Sequence, residues 1–235
     1  MPPNDDVVIR AEKLSRVYRQ GPLEVHALRE VSLTCRRGEF TALSGPSGSG
    51  KSTLLNLLGT LDRPSSGRLA LAGREVAGLG RADAARFRLA HVGFVFQAYN
   101  LLPVLTAYEN AEYTLALQGV PPAKRREIVV PLMQRVGLAP MMDRRPHELS
   151  GGQQQRVAVV RAIASRPAFV LADEPTANLD SESSVSLLSL FEEFNRSDGI
   201  TFVLASHDAQ VIARARRVVQ LRDGGIVAEK QEAAA

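Results

Sequence analysis

The chain has 235 residues, 45% of them hydrophobic and 23% charged, with a formal net charge of +4. That length holds one sizeable α/β core or two small domains, and the apolar share excludes an intrinsically disordered chain. The basic residues are scattered rather than gathered into a tail or stripe, which argues against nucleic acid as a partner. A lone Cys35 cannot form an internal disulfide and suits a reducing compartment. The chain opens on neither a basic nor an apolar leader, and no apolar run approaches the ~18 residues that span a bilayer, so a soluble, cytoplasmic protein is expected.

From Val7 to Gly38 apolar residues tend to alternate, with breaks at Gln20-Gly21-Pro22 and Arg37-Gly38, which reads as antiparallel strands. Phe40 to Ser44 is a short apolar run that predicts a strand, and Leu54, Leu57, Leu58 and Leu61 recur at helical spacing soon after it. Gly67 to Gly73 and Val92 to Phe96 predict two more strands, with a short helix from Arg81 to Ala90 between them, so that a small β-rich layer flanks the loop at Gly45.

Beyond Phe96 the pattern turns helical. Thr106-x-x-Glu109 is a capping box that opens a helix to about Gln118, and Pro121-Pro122 begin a second helix ending near Gly137. Pro131 lies inside that second pattern, where it removes a donor and clashes with the previous turn, so a kink or two shorter helices are expected. A third helix runs from Ser150 to before Pro167, making residues 98–165 a helical insertion in an otherwise alternating chain.

Ala168 to Ala172 and Ile200 to Leu204 are continuous apolar runs, as expected of parallel strands covered on both faces. The helix between them carries Val185, Leu188, Phe191 and Phe194 on one stripe, and the three elements imply a right-handed crossover. A hairpin of Val218 to Leu221 and Ile226 to Ala228 about Asp223-Gly224 closes the chain, with Gln231 to Ala235 expected to fray. Residues 1–235 therefore read as a single α/β domain.

Gly45-Pro46-Ser47-Gly48-Ser49-Gly50-Lys51-Ser52-Thr53 matches the phosphate-binding pattern G-x-x-x-x-G-K-[ST] at every fixed position, between a predicted strand and a predicted helix. Three glycines let the backbone amides Gly45 to Thr53 turn inward around a phosphate. Lys51 is placed to reach the β- and γ-phosphates, and Ser52 to give its hydroxyl to Mg²⁺. The strand ending in Asp173-Glu174 puts two carboxylates at the edge where open α/β sheets bind ligands. Asp173 is expected to hold Mg²⁺ through its water shell, and Glu174 to take a proton from the water that attacks the γ-phosphorus.

Leu149-Ser150-Gly151-Gly152-Gln153, just before the Asp-Glu strand, resembles the signature of the ATP-binding-cassette ATPases. With the phosphate loop and Asp173-Glu174 in the same order, the resemblance covers nearly the whole chain. It implies a P-loop NTPase core of the RecA-like kind, with an antiparallel β-subdomain and an inserted helical subdomain. It also implies a head-to-tail homodimer that sandwiches two ATP molecules, each between one subunit's phosphate loop and the other's Ser150, Gly151, Gly152 and Gln153.

Position by position, Gln97 is similar to the family's glutamine that contacts Mg²⁺ or the attacking water, and His207 to its switch histidine near the γ-phosphate. Asp180 resembles the loop that crosses the dimer interface, and Tyr18 the aromatic residue that stacks on adenine. His26, His91 and His147 have no such placement and read as structural. Gln97 to Asn110 and Asp173 to Asp180 narrow the resemblance to the subfamily that serves lipoprotein release, macrolide or peptide export and cell division. Ala177 stands where many of its members have glycine.

The resemblance implies an ATPase at the cytoplasmic face of the inner membrane, coupled to an integral membrane permease and to a periplasmic adaptor in some systems. A short cytoplasmic helix of the permease is expected to dock beside the Asn100 to Glu109 segment. The alternative is a non-transporting regulatory ATPase whose membrane partner controls cell-wall enzymes.

Overall fold

The computed structural model describes residues 6–21 and 23–231. The chain opens with a hairpin of two long antiparallel strands, β1 (Val7–Gln20) and β2 (Leu23–Arg36). Of the expected break at Gln20-Gly21-Pro22, Pro22 lies outside the described residues, as does the expected fraying of residues 232–235. There follow β3 (Phe40–Ser44), α1 (Lys51–Leu58), β4 (Ser66–Leu71), β5 (Arg74–Glu75), α2 (Arg81–His91) and β6 (Val92–Phe96). Next come α3 (Ala107–Leu117), α4 (Pro122–Arg135) and α5 (Gly151–Ile163), the last two separated by short 3-10 turns. The chain ends with β7 (Phe169–Asp173), α6 (Ser181–Asp198), β8 (Phe202–Ala205), α7 (Ala209–Arg214), β9 (Arg217–Arg222) and β10 (Gly225–Gln231).

Two sheets form. One is antiparallel with strand order β2-β1-β4-β5, and the other has order β10-β9-β3-β8-β7-β6. In the second sheet β9, β3, β8, β7 and β6 are parallel, and β10 closes one edge as an antiparallel hairpin. β6 is thus a member of the parallel sheet beside β7, not of the β-rich layer expected from its proximity to β4. Gln231 still pairs with Arg217 as the last residue of β10, so the ladder extends into the expected frayed tail.

The apolar runs of the central strands are explained by two cores. Leu43, Phe169, Leu171, Val203 and Ala205 face a cluster made with α1 and the antiparallel sheet. The alternate residues Ala42, Val170, Ala172, Phe202 and Leu204 face a second cluster made with α3 to α6. Successive side chains of a strand point to opposite faces, so both faces must be apolar when both are covered. Each fully buried Leu or Phe contributes about 1.5–3 kcal/mol relative to exposure.

Three local expectations are corrected. α1 stops at Leu58, where the Gly59 amide caps the Leu55 carbonyl and the Thr60 amide that of Leu57, and Leu61 lies beyond it, 47% exposed. On α6 the buried stripe is Ser184, Leu187, Leu188, Phe191, Phe194 and Asn195, with Val185 turned outward. α4 runs through Pro131 as one helix, which overturns the alternative of two shorter ones. Pro131 is on its exposed face, where water can satisfy the carbonyl that the missing N–H leaves free, while Val129 and Met133 anchor the other face.

Candidate functional site

Loops after β3, β7 and β8 meet at the carboxyl edge of the parallel sheet. In the first, Gly45 has φ 149° and Gly50 φ 104°. A Cβ on Gly45 would lie 2.3 Å from the Leu221 carbonyl oxygen, and one on Gly50 2.7 Å from that of Ala27, so no side chain fits at either position. The loop is braced from below, with the buried Ser49 accepting the Gly224 amide on its carbonyl at 3.1 Å. Pro46, Ser47 and Gly48 are exposed at its tip.

Lys51 heads α1 and is buried, its Nζ donating to the carbonyls of Gly45 at 2.7 Å and Pro46 at 3.1 Å. The ammonium therefore sits at the rim of the loop, hydrogen-bonded to backbone carbonyls and close enough to Asp173 to act on its carboxyl. α1 has no side-chain cap at Gly50, so the leading amides of Lys51, Ser52 and Thr53 face the loop cavity as anion donors.

Ser52 Oγ donates to Asp173 Oδ1 at 3.1 Å, joining the first turn of α1 to the end of β7. Burial pushes the Asp173 carboxyl above the usual carboxylate range, and the Glu174 charge adds to this, while the Ser52 bond and Lys51 oppose it. A carboxylate penalised by burial is one that a cation would relieve. Two hard oxygens side by side fit Mg²⁺, which takes one or two protein oxygens and fills its remaining positions with phosphates and water.

Glu174 adopts φ 45° although it is not glycine and precedes Pro175, a combination that side-chain and proline sterics both disfavour. Its surroundings hold it there. The Glu174 amide donates to the Ala205 carbonyl at 2.9 Å. Oε2 accepts the Ser206 hydroxyl at 3.0 Å, and Oε1 lies 2.8 Å from His207 Nδ1. A carboxylate only accepts, so Nδ1 carries the proton and the exposed ring directs Nε2 away. Strain of this kind persists where a site needs a side chain aimed out of the regular path.

Ser206 is a residue that the sequence reading passed over. It is completely buried, and its own amide donates to the Leu43 carbonyl at 3.0 Å, which ties β3 to the site. Its signal is a hydroxyl placed directly after an apolar strand, where another apolar residue would otherwise continue.

The remaining candidates fall into two groups. Gln97 directly follows β6, where its Nε2 lies 3.5 Å from Asn178 Oδ1 and its carbonyl accepts Asn178 Nδ2 at 3.0 Å. Ser150 caps α5, with its hydroxyl accepting the Gln153 amide at 3.3 Å and Gln153 Oε1 accepting the Ser150 amide at 2.9 Å. Gly151 and Gly152 start that helix, where a Cβ would meet the Tyr99 hydroxyl at 2.7 Å and Ser183 Oγ at 3.0 Å. Asp180 caps α6 through the Ser183 amide at 2.8 Å, a bond that holds its carboxyl below the usual range. Ala177 has no positive φ, so alanine is accommodated there without strain. Tyr18 lies apart, at the end of β1, with its hydroxyl on Asp62 Oδ2 at 2.8 Å.

Gln155 was also missed. It is fully buried on α5 and donates from Nε2 to the carbonyls of Pro175 at 2.7 Å and Phe96 at 3.3 Å, linking the helix that begins at Ser150 to both neighbouring segments.

A glycine loop ahead of an uncapped helix, with a carboxylate pair one strand-edge away, defines a P-loop NTPase. The chain belongs to the ABC transporter family, whose model matches residues 28–177. It is accordingly an ATP-binding cassette, an ATPase that works with Mg²⁺. It is 48% identical over 230 residues to the macrolide export ATP-binding/permease protein MacB of Hyphomonas neptunium, covering 97% of this chain and 36% of that one. The chain thus spans about a third of that relative's length. It is 49% identical over 213 residues to the lipoprotein-releasing system ATP-binding protein LolD of Anaeromyxobacter dehalogenans, covering 90% of this chain and 89% of that one. Among solved structures, the dimeric post-hydrolysis state of the ATP-binding cassette MJ0796 with ADP and Pi superposes with TM-score 0.89 at 35% identity, over 97% of this chain and 100% of that one.

Proposed function

We propose that this cassette couples ATP-driven closure and opening of a homodimer to a separate membrane permease, in export or lipoprotein handling, at the cytoplasmic face of the cell membrane. Residues 1–235 act as one ATP-binding unit, with 98–165 as its helical subdomain. The observation that carries the reading is Glu174, strained and fixed between Ser206 and His207, beside the Ser52–Asp173 pair.

In the proposed roles, the Gly45–Thr53 loop cradles the phosphates and Lys51 swings from its carbonyl partners to the β- and γ-phosphates. Ser52 and Asp173, with Gln97, hold Mg²⁺, whose contribution is to offset charge on the phosphate oxygens. Glu174 takes the proton of the attacking water, and His207 orients Glu174 and faces the γ-phosphate. Ser150, Gly151, Gly152, Gln153 and Asp180 serve the nucleotide held by the other subunit, and Tyr18 stacks on the base.

No helix among the described residues is long and apolar enough to cross a membrane. A membrane component is supported by the names of both relatives, one a fused ATP-binding/permease protein and one the ATP-binding part of a releasing system, and a separate one by the second, which this chain covers to 89%. Those names favour transport coupling over a purely regulatory ATPase. The docking face is the Asn100–Glu109 segment, where Val104 is 74% exposed. Buried Asn110 stiffens this loop by donating to the Leu102, Leu105 and Thr106 carbonyls and accepting the Leu102 amide.

The direct test is Glu174→Gln, expected to keep ATP binding while slowing hydrolysis ~10²-fold or more, the worth of a positioned base. Unchanged turnover would remove Glu174 from the mechanism.

A further inference from the structure

Asp62, in the loop after α1, is a carboxylate with both oxygens in use. Its Oδ1 accepts the Arg63 amide at 2.7 Å, and its Oδ2 accepts both the Tyr18 hydroxyl and Arg16 Nε at 2.8 Å. The Arg16 guanidinium also lies over one face of the Tyr18 ring, 4.4 Å from its centroid. The backbone reinforces the same junction. The Val17 amide donates to Ser65 Oγ at 3.0 Å, and the Ser65 amide to the Ser15 carbonyl at 2.8 Å.

A tyrosine held only at its backbone can turn about two side-chain torsions. Here the far end of the ring is fixed by Asp62 and one face is covered by a cation, which holds the ring in a single plane. The anchor is tied to α1, the helix whose first residue is Lys51: α1 ends at Leu58, and the Asp62 amide donates back to the Asn56 carbonyl at 3.2 Å, so the ring's position is referred to the phosphate loop and not to the antiparallel sheet alone.

We propose that Asp62 and Arg16 are positioning residues that hold Tyr18 as a one-sided platform for the purine base, at a set distance from the phosphate loop. This rests on the reading of Tyr18 as the residue that stacks on the base. Fixing the ring beforehand removes ordering cost from nucleotide binding, and flat stacking rewards a purine more than a smaller pyrimidine. The base end and the phosphate end of the nucleotide are thereby gripped by one rigid unit.

The test compares equilibrium binding of Mg·ATP, Mg·UTP and inorganic tripolyphosphate, the last having phosphates and no base. Asp62→Ala is expected to weaken ATP about three- to tenfold, the worth of a lost polar contact, with UTP less affected and tripolyphosphate unchanged. Tyr18→Phe, which removes one hydroxyl and leaves the ring, should match Asp62→Ala, and the double variant should be no worse than either. Melting temperature is followed alongside, and Tyr18→Phe carries the test if Asp62→Ala folds poorly.

Equal weakening of ATP and tripolyphosphate would overturn the proposal, because Asp62 would then be acting on the phosphate loop. If Tyr18→Ala weakened ATP while Asp62→Ala and Tyr18→Phe did not, the positioning role would fall and the stacking role would stand. Unchanged ATP affinity in Tyr18→Ala would remove the stacking role and the proposal with it.

Discussion

The two glycine-rich helix starts of this cassette are built in opposite ways. α1 begins at a left-handed Gly50 with no side-chain cap, behind a loop in which Gly45 and Gly50 are dictated by φ and by contacts that no Cβ survives. α5 begins at Ser150 with a complete reciprocal capping box, and its Gly151 and Gly152 have ordinary helical backbones. The first start has no side-chain acceptor for its leading amides, whereas the second satisfies the Ser150 and Gln153 amides within the chain and leaves those of Gly151 and Gly152 to other partners. In the proposed function the uncapped start serves this subunit's own nucleotide, and the capped start, with its two leading glycine amides, serves the nucleotide held by the other subunit.

The contrast breaks most sharply at Lys51. Lys51→Ala should weaken ATP binding about 10- to 100-fold by loss of a charged partner to several phosphate oxygens. Calorimetric titration checks this, and an unaltered affinity would mean that the open start is not the nucleotide site.

At the capped start, Ser150→Ala should cost about 1 kcal/mol of stability through the lost cap. In a chain of this size that is a fall of about 2–4 °C in Tm, with ATP affinity of the single subunit retained. Scanning calorimetry with a parallel ATP titration separates the two effects.

Asp173 gives the smallest and most pH-dependent effect. A carboxyl raised in the native state holds its proton more tightly folded than unfolded, so its contribution to stability falls as pH rises through the raised value. Asp173→Asn should therefore melt above the wild type at neutral pH without ligand, and the two should converge on the acid side of the ordinary carboxylate range. With Mg·ATP present the order should reverse. A nucleotide-free variant that melts lower at neutral pH would contradict the burial penalty.

Much of this was legible in the sequence wherever the physics is local. The phosphate loop, the two capping boxes at Thr106 and Ser150, and the doubly covered strands β7 and β8 all follow from neighbouring residues. Pairings between distant segments were not legible. β6 joins β7 because a parallel partner is chosen across a long helical excursion, and nothing within Val92 to Phe96 announces it. The α6 stripe was misread at Val185 because the true face includes buried Ser184 and Asn195, whose polarity hides the period. Ser206 on Glu174 and Asp62 on Tyr18 are hydrogen bonds between residues far apart in the chain, and such contacts leave no trace in local composition.

The measurement that tests the central claim most directly is the solution mass of Glu174→Gln with and without Mg·ATP, by analytical ultracentrifugation. The account predicts one chain without nucleotide and two with it, the pairing abolished when Lys51→Ala is added. A Glu174→Gln protein that remains a single chain at saturating Mg·ATP would contradict it.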